Sequence, residues 1–145
     1  MDRKFKLQKI LEYRERVFDI EKQKLADLNN RLKDLKYKRE ALVRDIENNR
    51  KNIDIYKIDN NFEMVNLSIK YMDKLNRDLN TMNTTIEMTK KEIEKQKNNV
   101  VNAMNDLKVM EKLKDKHDAN FLAFLKKEEM KLIDELVITR SNYEI

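Results

Sequence analysis

Residues 25–46 read LADLNNRLKDLKYKREALVRDI, and their large apolar residues recur at alternating three- and four-residue steps. This stripe has one polar step, at Arg39, and otherwise consists of Leu25, Leu28, Leu32, Leu35, Leu42 and Ile46. An average spacing of 3.5 residues keeps one side of a helix facing a partner helix, which is the pattern of a coiled coil. The stretch therefore predicts a long helix that packs against a second one.

The composition also favours long helices. The chain has 145 residues with no Gly, Pro, Cys or Trp, and 41% of its residues are charged. Gly and Pro are the residues that most readily interrupt helices, so their absence favours helices without breaks. Disorder is the alternative for so polar a chain, but the apolar periodicity favours helix. We expect a single coiled-coil domain over residues 1–145.

The stripe extends into two longer series of residues, which we call seams. The first seam comprises Leu7, Leu11, Arg14, Phe18, Glu21, Leu25, Leu28, Leu32, Leu35, Arg39, Leu42, Ile46, Asn49, Ile53 and Tyr56. The second seam comprises Val65, Ser68, Met72, Leu75, Leu79, Met82, Ile86, Thr89, Ile93, Gln96, Val100, Ala103, Leu107, Met110, Lys114, His117, Phe121 and Phe124. Each seam predicts one helix.

A polar run between the seams predicts the turn. Asp and Asn tolerate turn geometry where Gly is absent, so Asp59 or Asn60 is a candidate cap for the second helix. We predict helix 1 at about residues 3–57, a turn at about 58–61, and helix 2 at about 62–140.

The two seams match each other if the chain folds back on itself. Opposed residues of an antiparallel hairpin have numbers with a constant sum, and a sum of 121 pairs Leu28 with Ile93, Leu35 with Ile86, Leu42 with Leu79 and Ile46 with Leu75. A parallel dimer of unbroken helices is the alternative, but it leaves this match unexplained. We predict an all-α fold, an antiparallel coiled-coil hairpin of two long helices whose C-terminal helix is longer and overhangs.

Two apolar surfaces remain outside the predicted pairing. The first is the overhang, residues 121–145, which is rich in Phe, Leu, Ile and Val. An apolar surface without an intramolecular partner marks an interaction site; the alternative is that the overhang bends back onto Phe5, Ile10 and Val17. The second surface is the turn patch, which consists of Leu67, Ile69 and Tyr71.

Charge and composition exclude most other functions. Residues 1–58 hold 17 Lys or Arg against 11 Asp or Glu, so the positive charge favours an acidic partner there, although a solvated helix face is an equal alternative. We expect no enzyme, cofactor, metal ion or small-molecule ligand, because the chain lacks Gly loops and Cys and has one His. Lys and Glu residues alternate along the chain, whereas nucleic-acid binding requires a basic stripe, so we do not expect a nucleic-acid partner. No apolar run approaches the roughly 18 residues of a membrane span, so we expect a cytoplasmic protein.

Both ends of the chain resemble a known family. The N-terminal end contributes residues 5–14, FKLQKILEYR, and the C-terminal end contributes MEKLKDK (residues 110–116), followed by Glu128, Glu129, Lys131, Asp134, Glu135 and Leu136. These segments are similar to those of the flagellar export protein FliJ. The resemblance implies a stalk like that of the rotary ATP synthase gamma subunit, one that enters the hexameric flagellar export ATPase, promotes its assembly and couples it to the export gate protein FlhA.

The resemblance also implies the remaining partners and the location of the protein. Family members escort free export chaperones, and they lie at the cytoplasmic face of the inner membrane through their partners only. A stalk protein of a non-flagellar type III secretion system is the nearest alternative. A coiled-coil scaffold that dimerises through the overhang is the alternative from a different class.

The resemblance implies two sets of contact residues. The ATPase contact maps onto the paired termini, at Leu7, Ile10, Leu11, Arg14, Val17, Phe18, Phe121, Leu122, Phe124, Leu125, Leu132, Ile133 and Leu136. The gate contact maps onto the start of helix 2, and together with the turn patch it comprises Leu67, Ser68, Ile69, Tyr71, Met72, Leu75 and Leu79. Ser68 stands where the family has an aromatic residue.

Overall fold

The protein is a helical hairpin. The computed structural model describes residues 2–143, with the side chains described up to residue 141. Helix α1 spans Gln8–Ile58 and helix α2 spans Phe62–Tyr143, and no strand occurs among the described residues. The predicted all-α fold with a longer second helix is confirmed. The last two residues of the overhang lie outside the described part.

Contacts divide the chain into two compact units. The first unit consists of residues 1–20 and 101–145, and the second consists of residues 21–100. Each unit contains one segment of α1 and one segment of α2, which run antiparallel. The prediction of a single domain over residues 1–145 stays a prediction.

The buried residues lie on the two seams. Among the side chains that the structure describes, the buried ones are Leu11, Asn49, Val65, Ser68, Leu75, Ile86, Thr89, Ile93, Gln96, Ala103 and Met110. Leu7 is the one seam member that is exposed, and all others are at least half-buried. Two helices bury one stripe each and leave the rest to water, so the seam periodicity predicts the packed faces correctly.

Two buried amides form hydrogen bonds between the helices in the second unit. The Nδ2 atom of Asn49 donates to the carbonyl of Ser68 at 2.8 Å, and Nε2 of Gln96 donates to the carbonyl of Glu21 at 2.9 Å. The carbonyl of a helical residue points toward the residue four positions later, so these bonds place Asn49 beside the turn from Ser68 to Met72, and Gln96 beside the turn from Glu21 to Leu25. They satisfy two buried amides, and the predicted pairing with a sum of 121 stays a prediction.

The turn is built by two asparagines. Asn60 has a φ of 53°, in the left-handed region. Its N–H donates to the carbonyl of Lys57 at 3.2 Å, and the N–H of Asn61 donates to the carbonyl of Tyr56 at 2.9 Å. These two bonds form a Schellman motif, which satisfies the last carbonyls of α1.

Asn61 also starts the second helix. Its side-chain Oδ1 accepts a hydrogen bond from the N–H of Met64 at 3.3 Å, and its carbonyl accepts one from the N–H of Val65 at 3.1 Å. Asn61 is therefore the N-cap of α2. The predicted cap at Asp59 or Asn60 is wrong, because Asn60 occupies the left-handed position that ends α1.

Helix α1 begins at Gln8, five residues after the predicted start. The preceding residues form local bonds instead: the N–H of Lys4 donates to Oδ1 of Asp2 at 3.4 Å, and the N–H of Gln8 donates to the carbonyl of Phe5 at 3.1 Å. An Asp side chain that binds nearby backbone N–H groups competes with helix formation, which explains the later start.

Candidate interaction surfaces

The overhang carries a run of exposed apolar side chains in the first unit. Helix α2 continues without a break to Tyr143, and residues 131–141 are all exposed. Its exposed apolar side chains are Leu122, Leu125, Met130, Leu132, Ile133, Leu136, Val137 and Ile138. No described residue of this segment folds back onto α1. The structure therefore differs from the alternative in which the overhang bends back onto the first helix.

Most of the exposed apolar residues of the overhang share one helix face, and Ile138 lies outside it. Leu125, Leu132 and Leu136 are seven and four residues apart, which places them in a single row, and Leu136 is 69% exposed. Charged residues occupy much of the remaining surface, including an ion pair between Lys131 and Glu128 at 3.3 Å. An amphipathic helix with an unpaired apolar face is suited to a groove on another protein.

Two phenylalanines mark the start of the overhang. Phe121 and Phe124 are half-buried, and their ring centroids lie 6.4 Å apart. They are thus partly covered, in contrast to the expectation that they lie wholly outside the packing. Tilted ring pairs at this separation are favourable. The exposed apolar surface consequently consists of Leu122, Leu125 and the apolar residues between positions 130 and 138.

The N-terminal segment packs across α2 just before the overhang. The ring of Phe5 lies 5.7 Å from that of His117, and Nε2 of His117 is 3.0 Å from the carbonyl of Asp2. His117 is a member of the second seam, so its half-buried position follows from the seam periodicity. The contacts with Asp2 and Phe5 were not predicted, because no periodicity extends into a non-helical segment.

The candidate ATPase-contact residues on α1 differ in exposure. Ile10 and Leu7 are exposed, whereas Leu11 is buried at 4% exposure. Arg14, Val17 and Phe18 are half-buried. Nη1 of Arg14 lies 3.3 Å from Oδ2 of Asp106, and both side chains are substantially exposed, so this ion pair contributes at most about 1 kcal/mol.

The candidate gate-contact residues fall into two groups. The turn patch is exposed, with Leu67 at 55%. In contrast, Ser68 and Leu75 are buried in the second seam, and Met72 and Leu79 are half-buried there. A partner reaches the turn patch on the closed hairpin, but it cannot reach the buried group without separating the helices.

One member of the turn patch lies in a shallow groove. Tyr71 of α2 lines this groove together with Asp45, Asn48, Asn49 and Asn52 of α1. The groove is polar apart from the tyrosine ring, and its amides can donate and accept hydrogen bonds. It can therefore hold a polar segment of a partner beside an exposed aromatic side chain.

Other kinds of site are not evident in the part of the chain that the structure describes. No group of three or more His, Cys, Asp or Glu side chains there could hold a metal ion. None of its helices has an apolar stretch of the length and hydropathy that crossing a membrane requires. The exposed helix faces are thus the available surfaces among residues 2–143.

Comparison with known protein families gives a match over nearly the whole chain. The model of the family described as flagellar FliJ protein matches residues 3–143, which is nearly the whole chain. No curated protein and no solved structure matches the chain significantly.

Proposed function

The chain belongs to the flagellar FliJ protein family, whose members take part in flagellar protein export, and on this premise we propose that it is a non-enzymatic stalk that binds the hexameric export ATPase. The overhang carries this proposal, because its apolar residues have no partner within the described hairpin. A contiguous apolar surface of this kind is costly in water, and burial against another protein removes that cost.

The ATPase contact centres on the exposed face of the overhang. Leu122, Leu125, Leu132, Ile133 and Leu136 supply its apolar side chains, and Leu7 and Ile10 add exposed residues from the start of α1. Phe121 and Phe124 support the segment through their ring contact. Leu11, Arg14, Val17 and Phe18 position these residues within the hairpin. The stalk promotes assembly and ATP turnover of the ring.

The gate contact belongs to the turn patch. Leu67, Ile69 and Tyr71 are exposed and bind the export gate protein FlhA. Ser68, Met72, Leu75 and Leu79 hold this part of α2 against α1 rather than touching the gate. The stalk thereby links the ATPase to the gate, and it also escorts free export chaperones. It is cytoplasmic and reaches the inner membrane through these partners. The flagellar family match favours this reading over a stalk of non-flagellar secretion.

The ATPase contact is tested with Leu132→Ser combined with Leu136→Ser. These side chains are exposed, so the free energy of unfolding should change by less than about 0.5 kcal/mol. Loss of two buried leucines at an interface should weaken binding to a flagellar export ATPase at least about tenfold. Sedimentation measures ring formation, and phosphate release measures ATP turnover.

The matched control is Val109→Ser combined with Leu113→Ser. This pair has the same four-residue spacing on α2 and is also exposed, but it lies outside the overhang. It should leave ring formation and ATP turnover within about twofold of the unmodified stalk. If the unmodified, fully helical protein changes neither quantity, the proposed stalk function is wrong.

The gate contact has its own test. Leu67→Ser combined with Tyr71→Ser should weaken binding to the cytoplasmic domain of FlhA while leaving ATPase stimulation unchanged. Calorimetry measures the first quantity. The exposed Met88→Ser is the control for a general loss of apolar surface. If the turn-patch variant binds FlhA as tightly as the unmodified protein, the turn patch is not the gate contact. The proposed ATPase contact would be unaffected by that result.

A further inference from the structure

The segment before α1 has a conformation that its own sequence does not favour. Residues 2–7, which we call the strap, are not helical in the structure. The strap reads DRKFKL, without Gly, Pro or a β-branched residue, and Arg, Lys and Leu are good helix formers. The seam periodicity likewise predicts a helix from about residue 3. The observed conformation therefore depends in part on contacts between the strap and the rest of the molecule.

The strap contacts α2 at His117. The ring of Phe5 lies 5.7 Å from the imidazole ring, at an angle of 32° between the two planes. Nε2 of His117 lies 3.0 Å from the carbonyl oxygen of Asp2, and it must be the donor, because a carbonyl oxygen only accepts. The side chain of His117 is 21% exposed, and Phe5 is half-buried. A single side chain of α2 thus makes both a ring contact and a hydrogen bond with the strap.

A helix over the same residues would break the ring contact. Residues four and seven positions apart lie in one row of a helix, so a helical Phe5 would share a row with Lys9 and Glu12. Both of these residues are exposed and lie outside the first seam. Phe5 would then point away from α2. The ring contact with His117 therefore requires the non-helical strap.

A helix would also use the Asp2 carbonyl differently. In a helix that starts at residue 3, Asp2 is the N-cap, and its carbonyl accepts the first intrahelical bond, from the N–H of Lys6. In the strap, this carbonyl accepts from His117 instead. The helix and the strap thus compete for the same acceptor.

The strap is not tightly packed against α2. A groove of about 520 Å³ lies between the strap and His117, with Phe5 and Leu7 among its lining residues. This space is much larger than the roughly 30 Å³ of one water molecule, so solvent reaches beneath the strap. Opening the strap therefore breaks few apolar contacts.

From these contacts we propose that the strap is a conformational switch and that His117 is its latch. In the latched state the strap is non-helical and Phe5 packs against α2. In the released state residues 3–7 extend α1 and Phe5 is exposed. The switch goes beyond binding of the ATPase or the gate, and it holds whether or not the proposed stalk function is correct.

Release of the strap would change the surface of the first unit. It would add an exposed aromatic side chain, Phe5, and a further turn of helix at the start of α1. A partner that contacts either of these would favour the released state, because a ligand shifts an equilibrium toward the state that it binds better. The latch thus controls whether Phe5 is available to such a partner.

Nuclear magnetic resonance tests the switch on the full chain without any partner. His117 is the single histidine of the sequence, so its imidazole signals are unique. The unmodified protein should show a nuclear Overhauser effect between the ring protons of Phe5 and those of His117. The Cα chemical shifts of residues 3–7 should be non-helical.

His117→Ala should release the strap. The Cα chemical shifts of residues 3–7 should then move toward helical values. The ratio of helix to strap should rise roughly tenfold or more, given the typical contributions of one aromatic contact and one hydrogen bond. Phe5→Ser should shift the ratio in the same direction. Serine and phenylalanine have similar helix propensities, so this substitution removes the ring without itself favouring the helix.

Leu113→Ala is the matched control. Leu113 lies four residues before His117 on α2, is 43% exposed and does not line the groove beneath the strap. This variant should keep the chemical shifts of the unmodified strap, and circular dichroism verifies that every variant remains helical. If His117→Ala is folded and residues 3–7 keep non-helical shifts, His117 is not the latch and the proposal is wrong. The absence of the Phe5–His117 effect in the unmodified protein would also contradict it.

Discussion

Asn60 is the residue that lets a chain without glycine make a tight turn. Its φ of 53° lies in the left-handed region, where most residues other than glycine and asparagine are strained. The N–H groups of Asn60 and Asn61 bond to the last carbonyls of α1. The last carbonyls of α1 thus have hydrogen-bond donors although no glycine is present. Asparagine nevertheless has a Cβ atom, which is sterically unfavourable in the left-handed region.

Substituting Asn60 should change the stability in a direction set by its φ. Asn60→Gly should raise the free energy of unfolding by roughly 0.5 kcal/mol, because glycine is the preferred residue at this position. Asn60→Ala should lower it by about 1 kcal/mol. Urea denaturation followed by circular dichroism measures both. The control is Asn30→Gly, which lies in the middle of α1 and should be destabilising by up to about 1 kcal/mol.

The turn also shows what the sequence could and could not predict about single residues. An Asn- and Asp-rich run in a chain without glycine correctly indicates where the helices separate. The identity of the cap could not be predicted, because Asp59, Asn60 and Asn61 are all suitable capping residues. Backbone geometry decides: Asn60 takes the left-handed position, and Asn61 then stands three residues before the N–H of Met64.

At the level of the helices, the packed faces could be predicted from the sequence, but the polar contacts between them could not. Periodicity identifies the seams, and burial follows them, because a two-helix structure covers one stripe on each helix. The polar contacts between the helices have no such signal. The side chains of Asn49 and Gln96 are buried and bond to backbone carbonyls of the opposite helix, and a search for matching apolar residues does not reveal these bonds.

The centre of the second unit should be the most sensitive part of α2 to truncation. Ile86 is 1% exposed and is among the largest fully buried side chains described. Ile86→Ala should therefore lower the free energy of unfolding by about 2–4 kcal/mol. Met88→Ala, two residues away and 59% exposed, should change it by less than about 0.5 kcal/mol. Equal effects in a denaturant titration would mean that the seam is not the source of stability.

The overhang should be the helical segment with the least protected amides. Its residues 131–141 are exposed, and a helix without tertiary packing is only marginally stable in water. Hydrogen exchange should be fast there and slow around Ile86 and Ile93, which are buried. Binding of the export ATPase should slow exchange in the overhang. Slow exchange in the free protein would indicate that another surface already covers it.

For the molecule as a whole, the candidate surfaces follow from what the pairing leaves uncovered. The sequence predicted the overhang because the apolar pattern continues beyond the end of the first helix. It did not predict the contacts of Asp2 and Phe5 with His117, since a short segment without periodicity gives no signal. Nor did it predict that Ser68 and Leu75 would be buried while Leu67 and Tyr71 of the same segment are exposed.

The oligomeric state decides between an overhang kept for another protein and one that pairs with a second copy. Antiparallel pairing of two overhangs through Leu125 and Leu132 would place Glu128 and Glu129 opposite each other at the centre. Like charges in that arrangement are unfavourable, so the protein should sediment as a monomer at micromolar concentration. A concentration-dependent dimer that Leu132→Ser with Leu136→Ser abolishes would instead assign this face to a second copy of the chain. The exposed leucines would then be a dimer interface, and the ATPase would have to bind elsewhere on the hairpin.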